Sequence, residues 1–358
     1  MKHFSPDFLF ATAVRLFCAY GVPVKEAEIT AHELVDANLY GLDSHGFIRC
    51  IFYVEEILAG HLHPGAMMEI VSETQNTAIL DAHLNFGQVA ANRMVDIVWE
   101  KAKEHGIACV ISRHAHHVGR LGAYTGKLAE RGLLSLAMCN GYKMGHFVAP
   151  FGGCEGRLAT NPFSYAVPAA PHPVVLDMST SMIAEGKIRI LMQEGKLLPP
   201  GCVIDANGVE TRDPCDFYGP PHGSILPFGG TLGYKGFGLS LMVECFGGVL
   251  AGEAVSDHYT YLNGLCLIAL NPEFFFGLEP FRAMMEERRK YLKSSRAAVG
   301  SDGVMLPGEY DFKIREQRLK EGVPIQESVW RQIVEIGARR NVQIDDYGYA
   351  GEEREEKK

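Results

Sequence analysis

The sequence predicts an α/β protein in which a sheet layer is joined to a helical unit drawn from both chain ends. Three observations carry this expectation. Between residues 69 and 139, short apolar strand-like runs alternate with helix-like stretches. Roughly the first 60 residues show only the apolar spacing of helices. Charged, helical character then returns from about Glu279. With 358 residues, 47% of them hydrophobic and 22% charged, the chain can bury a sizeable core over more than one domain. The expected division is a helical domain of residues 1–68 with 280–358, and an α/β domain of residues 69–279.

Taken in order, Ser5-Pro6-Asp7 marks a helix start: a capping hydroxyl, a proline in the first turn and an acid at the positive helix end. That helix stops near Gly21, and a second runs from Val24 to Gly41. Phe47, Ile51, Val54 and Leu58 recur at helical spacing and give a third. Before it lies Asp43-Ser44-His45-Gly46-Phe47-Ile48-Arg49. If Ser44 caps the third helix, Arg49 projects one turn in. Hydroxyl, imidazole, guanidinium and free N–H groups then converge where a carboxylate can be held. The same residues also read as an ordinary cap followed by a surface arginine.

Glu69–Glu73 and Thr77–Asp81 read as strands, Phe86 to His105 as a long helix, and Ile107–Ile111 as a buried strand. His114, His116 and His117 follow in the strand-to-helix loop that ends at Tyr124. Imidazole exchanges protons near neutral pH, and Gly119 and Gly122 let the backbone approach a bound molecule. A polar loop with incidental histidines is the plainer reading. A helix over Gly126–Arg131 and a strand over Leu133–Cys139 come next.

Val174 to Ser181 reads as a short buried strand opening into hydroxyl residues and a helix. That arrangement suits a phosphate or ribose, with Asp177 for sugar hydroxyls, or simply caps a helix. Residues 195–230 read as a long irregular excursion. Gly233 to Leu239 opens a glycine-rich helix with Lys235 near its start, placed to meet a phosphate or merely solvated. The apolar stretch Gly236–Gly252 contains Glu244 and reads as a buried helix, not a membrane span. Asn263–Leu270 is a strand, Glu279 to Lys293 a helix, Ser301–Tyr310 a loop and Ile325–Ala338 a last helix. The mixed-charge tail Glu352–Lys358 is expected to fray.

Several function classes fall away. A net charge of −9 argues against general nucleic-acid binding and against a basic membrane surface. Nine dispersed cysteines without C-x-x-C suit reduced thiols in a cytoplasmic protein and offer no zinc motif. Asp7 and Arg15 interrupt the first apolar stretch, so it does not read as a signal peptide. There is no G-x-G-x-x-G, no G-x-x-x-x-G-K-[ST] and no H-E-x-x-H. The three histidines lack an acid or cysteine at usual ligand spacing, so no metal is expected.

Seven motifs in order resemble the malate/L-lactate dehydrogenase type of oxidoreductase, which includes sulfolactate and ureidoglycolate dehydrogenases. They are Asp43-Ser44-His45-Gly46-x-x-Arg49, His117-x-Gly119-x-x-Gly122-x-Tyr124, Ala149-Pro150-Phe151-Gly152-Gly153, Thr160-Asn161-Pro162, Leu176-Asp177-Met178-x-Thr180-Ser181, Lys235-Gly236-x-Gly238-Leu239 and Pro307-Gly308-Glu309. Phe86-Gly87-Gln88-Val89-Ala90-Ala91 and Pro199-Pro200-Gly201-Cys202 look closest to the hydroxycarboxylate dehydrogenase B kind, which handles aromatic and other 2-hydroxy acids. Ala115 and Ala159 stand where many members have serine or asparagine, and glycine.

The resemblance implies a non-Rossmann fold: a mixed, largely antiparallel sheet flanked by helices that binds a nicotinamide cofactor, with a helical domain built from both chain ends. It implies a homodimer with active sites near the interface. His117 and His45 match the catalytic histidines, and His45 in some members serves the nicotinamide. Ser44 and Arg49 match the holders of a small-molecule carboxylate substrate. Gly119, Arg120, Leu121, Asp177, Met178, Ser179, Lys235, Pro307, Gly308 and Glu309 match cofactor contacts. The implied cofactor is NAD, with NADP the open alternative. The implied reaction is hydride exchange with a 2-hydroxy acid. The rivals are a cyclic imino acid reductase and a non-catalytic ligand-binding relative.

Overall fold

The computed structural model describes residues 2–252 and 261–344. The chain opens with strand β1 (Lys2–Phe4), then helices α1 (Pro6–Ala19) and α2 (Val24–Leu39). A short 3-10 turn (Asp43–His45) leads to α3 (Arg49–Leu58). β2 (Glu69–Glu73), β3 (Thr77–Asp81), α4 (Gly87–His105), β4 (Ile107–His116), α5 (Leu121–Glu130) and β5 (Leu134–Cys139) alternate as the sequence suggests. β6 (Phe163–Val167), β7 (Val174–Met178), α6 (Glu185–Gln193), β8 (Val203–Ile204), β9 (Glu210–Thr211), α7 (Pro214–Tyr218), β10 (Ser224–Ile225) and α8 (Gly233–Val243) follow. β11 (Leu262–Leu270), α9 (Leu278–Lys293), α10 (Glu309–Glu321), β12 (Val323–Ile325) and α11 (Glu327–Ala338) complete the described chain.

Seven strands form one sheet in the order β2-β3-β4-β11-β5-β6-β7. Only β3 and β4 pair parallel, joined by α4; every other neighbouring pair is antiparallel. This is the mixed, largely antiparallel sheet that the family resemblance implies. β11 lies at the centre and is buried along most of its length, as its near-unbroken apolar run requires. Ala90, Met94 and Val98 of α4 cover one face of the sheet against Val110, Leu265 and Leu267.

A separate core joins the chain ends. Leu9, Phe17, Leu34 and Tyr53 from the first three helices pack with Trp330 and Ile333 of α11. β1 pairs antiparallel with β12, and Phe4 stacks on Trp330 with ring centroids 4.2 Å apart. The Ser5 hydroxyl accepts the Phe8 N–H and caps α1.

Several local expectations need correction. β4 runs on to His116, because pairing with β11 continues to Leu262 opposite His116. His114 and His116 therefore lie on a strand. α5 begins at Leu121, earlier than Gly126. Ser44 does not cap α3; it sits within the preceding 3-10 turn, and Ile48 occupies the cap position. No helix opens at Ser179–Ser181. The Ser181 hydroxyl turns back to the Ile183 carbonyl, and α6 starts at Glu185. Residues 195–230 hold a three-stranded sheet, β10-β8-β9, over a small core of Val203, Phe217 and Ile225. The loop after Ser301 ends at Gly308, and α10, none of whose residues is buried, gave no apolar periodicity to find. The Gly236–Gly252 stretch is helical but buried on one side only: Ser240, Val243 and Ala251 are buried, while Leu239, Leu241, Met242, Phe246, Val249 and Leu250 are exposed. The Glu352–Lys358 tail lies outside the described residues.

Candidate active site

Two sequence-distant segments meet where the helical core touches the sheet. The 3-10 turn carries Ser44 and His45, and α3 carries Arg49 at its start and Tyr53 one turn on. Across from them, β4 ends at His116 and delivers His117. The His45 and His117 rings stack with centroids 5.7 Å apart and planes inclined by 21°. Ser44 Oγ lies 3.1 Å from His45 Nδ1. Arg49 Nε donates to the Ser44 carbonyl at 2.7 Å, and its guanidinium lies over the Phe52 ring. Among the described residues the Arg49 Nη groups have no hydrogen-bond partner. They remain available to a carboxylate, which guanidinium grips with two parallel N–H groups.

The approach of the two segments depends on Gly87. A Cβ there would stand 2.1 Å from the His116 carbonyl oxygen and 2.5 Å from His117. Without it, the first turn of α4 presses against the His116–His117 backbone. Tyr53, fully buried, then reaches His117 Nδ1 at 2.8 Å. Gln88 Nε2 donates to the Tyr53 hydroxyl. His116 itself is buried and turned away, with Nε2 3.3 Å from Glu56.

Both stacked imidazoles are held neutral. Burial pushes His45 down to about 3, with the positive charge of Arg49 and Arg120 adding to the effect. Burial also drives His117 well below its ordinary value, again aided by Arg49. Neutral rings beside a free guanidinium can give and take a proton while an anion sits on the arginine. Burial pushes the Tyr53 phenol upward, so it keeps its proton at neutral pH.

A second cluster begins three residues further on. A cavity of about 190 Å³ lies between α2, α5 and α10, lined by Asp36, Tyr40, Arg120, Gly122, Gly308 and Arg315 among others. Arg120 pairs with Asp36 at 2.8 Å and lies over the Tyr40 ring. Gly122 N–H donates to Asp177 Oδ2 at 2.7 Å. Burial pushes the Asp177 carboxyl up, against the pull of Arg120 and that N–H. Val175 N–H donates to the Pro307 carbonyl at 3.3 Å and ties this loop to β7. Gly308 takes φ +87°, and a Cβ there would stand 3.0 Å from the Val175 carbonyl oxygen. Arg120 Nε is buried without a partner among the described residues. The cleft offers Arg120, with its unsatisfied N–H, Lys127 and Arg315 to an anionic nucleotide, and the carboxylates of Asp36, Glu130 and Asp311 to sugar hydroxyls.

The other expected residues are placed less centrally. Leu121 is buried in the sheet core at the start of α5. Met178 packs beside Met138, Phe163 and Val243, and the Ser179 hydroxyl donates to the Ser181 carbonyl. Gly119 lies against Gln88. Lys235, on α8, has its Nζ 6.0 Å from the Tyr234 ring and no described contact to either cluster. Glu309 is held by Lys293 at 2.7 Å and by the Leu306 N–H. Tyr53, Asp36 and Tyr40 escaped sequence reasoning, and Gln88 entered it only within the Phe86–Ala91 motif, without a role. Tyr53 follows Arg49 by four residues, and that helical spacing was the one available signal.

Residues 4–334 match the malate/L-lactate dehydrogenase family. A malate dehydrogenase from Pyrococcus abyssi is 36% identical over 346 residues, covering 94% of each chain. Hydroxycarboxylate dehydrogenase B from Escherichia coli is 35% identical, covering 92% of each chain. The solved structure of sulfolactate dehydrogenase from Methanocaldococcus jannaschii superposes with a TM-score of 0.88 at 32% identity, over 96% of this chain and 99% of that one. A delta1-piperideine-2-carboxylate reductase structure from Pseudomonas syringae superposes at 0.82 with 27% identity, over 94% of this chain and 100% of that one. The chain belongs to the malate/L-lactate dehydrogenase family and is an oxidoreductase of the hydroxy acid type.

Proposed function

We propose that this member of the malate/L-lactate dehydrogenase family exchanges hydride between a nicotinamide cofactor and a 2-hydroxy acid, aromatic ones included, with NAD as the cofactor. The observation that carries the reading is the neutral His45–His117 stack beside the unpartnered Nη groups of Arg49. Arg49, with Ser44, holds the substrate carboxylate. His117 takes the C2 hydroxyl proton during oxidation and returns it during reduction, and His45 lies against the reacting face. A bound nicotinamide supplies the hydride acceptor and donor. The cleft at Arg120, Gly122 and Gly308 is the place for its nucleotide portion, and Asp177 favours the free ribose hydroxyls of NAD.

The chain works as a homodimer in this reading. The exposed apolar side of α8 and the turn after it gives such an assembly a surface to bury. A cytoplasmic setting suits the dispersed thiols, and no described helix is long and apolar enough to cross a membrane.

The test is oxidation of NADH and NADPH, followed by near-ultraviolet absorbance, against 2-keto acids including malate's and lactate's keto forms and phenylpyruvate. Turnover with a 2-keto acid is expected, faster with NADH. Turnover with cyclic imino acids alone would replace the reading by imine reduction. Cofactor binding without any turnover would make the chain a ligand-binding relative.

A further inference from the structure

Gln88 Nε2 donates to the Tyr53 hydroxyl, yet Gln88 Oε1 is buried with no hydrogen-bond partner among the described residues. A buried amide oxygen left bare carries a desolvation cost, so its presence beside the proposed proton-transfer residue calls for a reason. The Tyr53 hydroxyl stands between Gln88 and His117 Nδ1. Because Gln88 donates to the Tyr53 oxygen, the Tyr53 proton points to Nδ1. Neutral His117 then carries its own proton on Nε2 and presents a donor to the site.

That polarity is a resting one: a neutral ring that gave up its Nε2 proton would be left an imidazolate, and its Nε2 has no lone pair free to take a proton. Proton transfer in either direction needs the opposite arrangement, because the ring that takes the hydroxyl proton in oxidation becomes the imidazolium that returns it in reduction. Nε2 must be bare to take the hydroxyl proton, so the ring proton must sit on Nδ1. The Tyr53 oxygen must then accept it, and the Tyr53 proton needs another acceptor. Gln88 Oε1 becomes that acceptor when the amide turns over, exchanging its NH2 and oxygen. Both polarities keep Tyr53 protonated, as its burial demands.

We propose that the Gln88 amide, acting through the Tyr53 hydroxyl, selects the His117 tautomer and so switches it between a resting form and the form that exchanges a proton with the substrate. Gln88 and Tyr53 are thus positioning residues. The inference rests on His117 being the acid–base group. No net charge moves when the amide turns: two hydrogen bonds reverse direction. Gly87 makes the arrangement geometrically available, since it brings the start of α4 onto the His117 backbone.

The tautomer is read directly by 15N NMR of the full chain labelled at histidine, without cofactor or substrate. The His117 signal is assigned by its loss in His117→Gln. In the native chain both tautomers are expected, in exchange, with Nε2–H the major form. Gln88→Leu leaves the Tyr53 proton no acceptor but Nδ1, so only Nε2–H should remain. Tyr53→Phe preserves the aromatic packing and removes the link, so the tautomer should no longer respond to Gln88→Leu in that background. In 2-keto acid reduction and 2-hydroxy acid oxidation, Gln88→Leu should lower kcat about tenfold with KM unchanged, and add nothing to Tyr53→Phe.

A His117 signal unchanged by Gln88→Leu in the native background would overturn the proposal. So would additive kinetic losses in the double variant. The NMR readout does not need turnover, so a silent enzyme would contradict the functional reading while leaving the tautomer result to stand or fall separately.

Discussion

At the scale of single residues, the site is defined by a balance between burial and charge. His45 and His117 would each be partly protonated in water at pH 6.5, the ordinary midpoint for imidazole. Here burial and Arg49 favour the neutral rings, with Arg120 also acting on His45 and with His45 and His116 also acting on His117. The folded values lie below the unfolded ones, so the unfolded chain binds more protons on acidification. Stability from these two groups is therefore full above about pH 6.5 and is lost as pH falls towards the folded value of about 3 for His45. The thermal midpoint should drop between pH 7 and pH 5, and His45→Gln should make that drop shallower. Parallel curves would show that His45 is not held neutral by the fold. Arg49 acts on the substrate in this account: Arg49→Met should raise KM for a 2-keto acid by tenfold or more, roughly the worth of a charge-assisted hydrogen bond. An unchanged KM would move the carboxylate holder elsewhere.

At the scale of elements, the decisive contact is the start of α4 against the end of β4. Replacing a helical glycine by alanine ordinarily stabilises a helix by about 0.5–1 kcal/mol. At Gly87 the new methyl would meet the His116 carbonyl oxygen at 2.1 Å. The clash outweighs the propensity gain, because overpacking a close backbone contact costs about 1–3 kcal/mol. Gly87→Ala should therefore lower the thermal midpoint and displace His117 from Tyr53, cutting kcat; a more stable and fully active variant would contradict this contact. The elements also show what could be read from the sequence. β2, β3 and α4 could be read to within a residue of their ends. α10 could not, because it buries no residue and so carries no apolar stripe. β4 looked shorter than it is because Ser112, Arg113, His114 and His116 are polar, and pairing with β11 and β3 makes the segment strand.

At the scale of the whole molecule, the helical core that joins the chain ends places the Ser44–Arg49 segment against the end of β4 that delivers His117. Those residues were legible because each motif concentrates groups with few structural uses. Gln88 and Tyr53 were not, because a buried tyrosine and a helix-start glutamine look like packing until three dimensions bring them to the histidine. The exposed apolar row on α8 likewise read as core in one dimension. If it is the dimer surface, light scattering should give twice the chain mass, and Leu250→Glu should shift the protein towards monomer. A native protein that is monomeric at micromolar concentration would contradict the dimer.

The central claim, proton transfer by His117 during hydride exchange, is tested most directly by the turnover of His117→Ala. With a 2-keto acid and NADH, kcat should fall by about 10²–10⁴ while the reduced cofactor still binds and the thermal midpoint stays near that of the native protein. Near-native turnover in that variant would contradict the assignment.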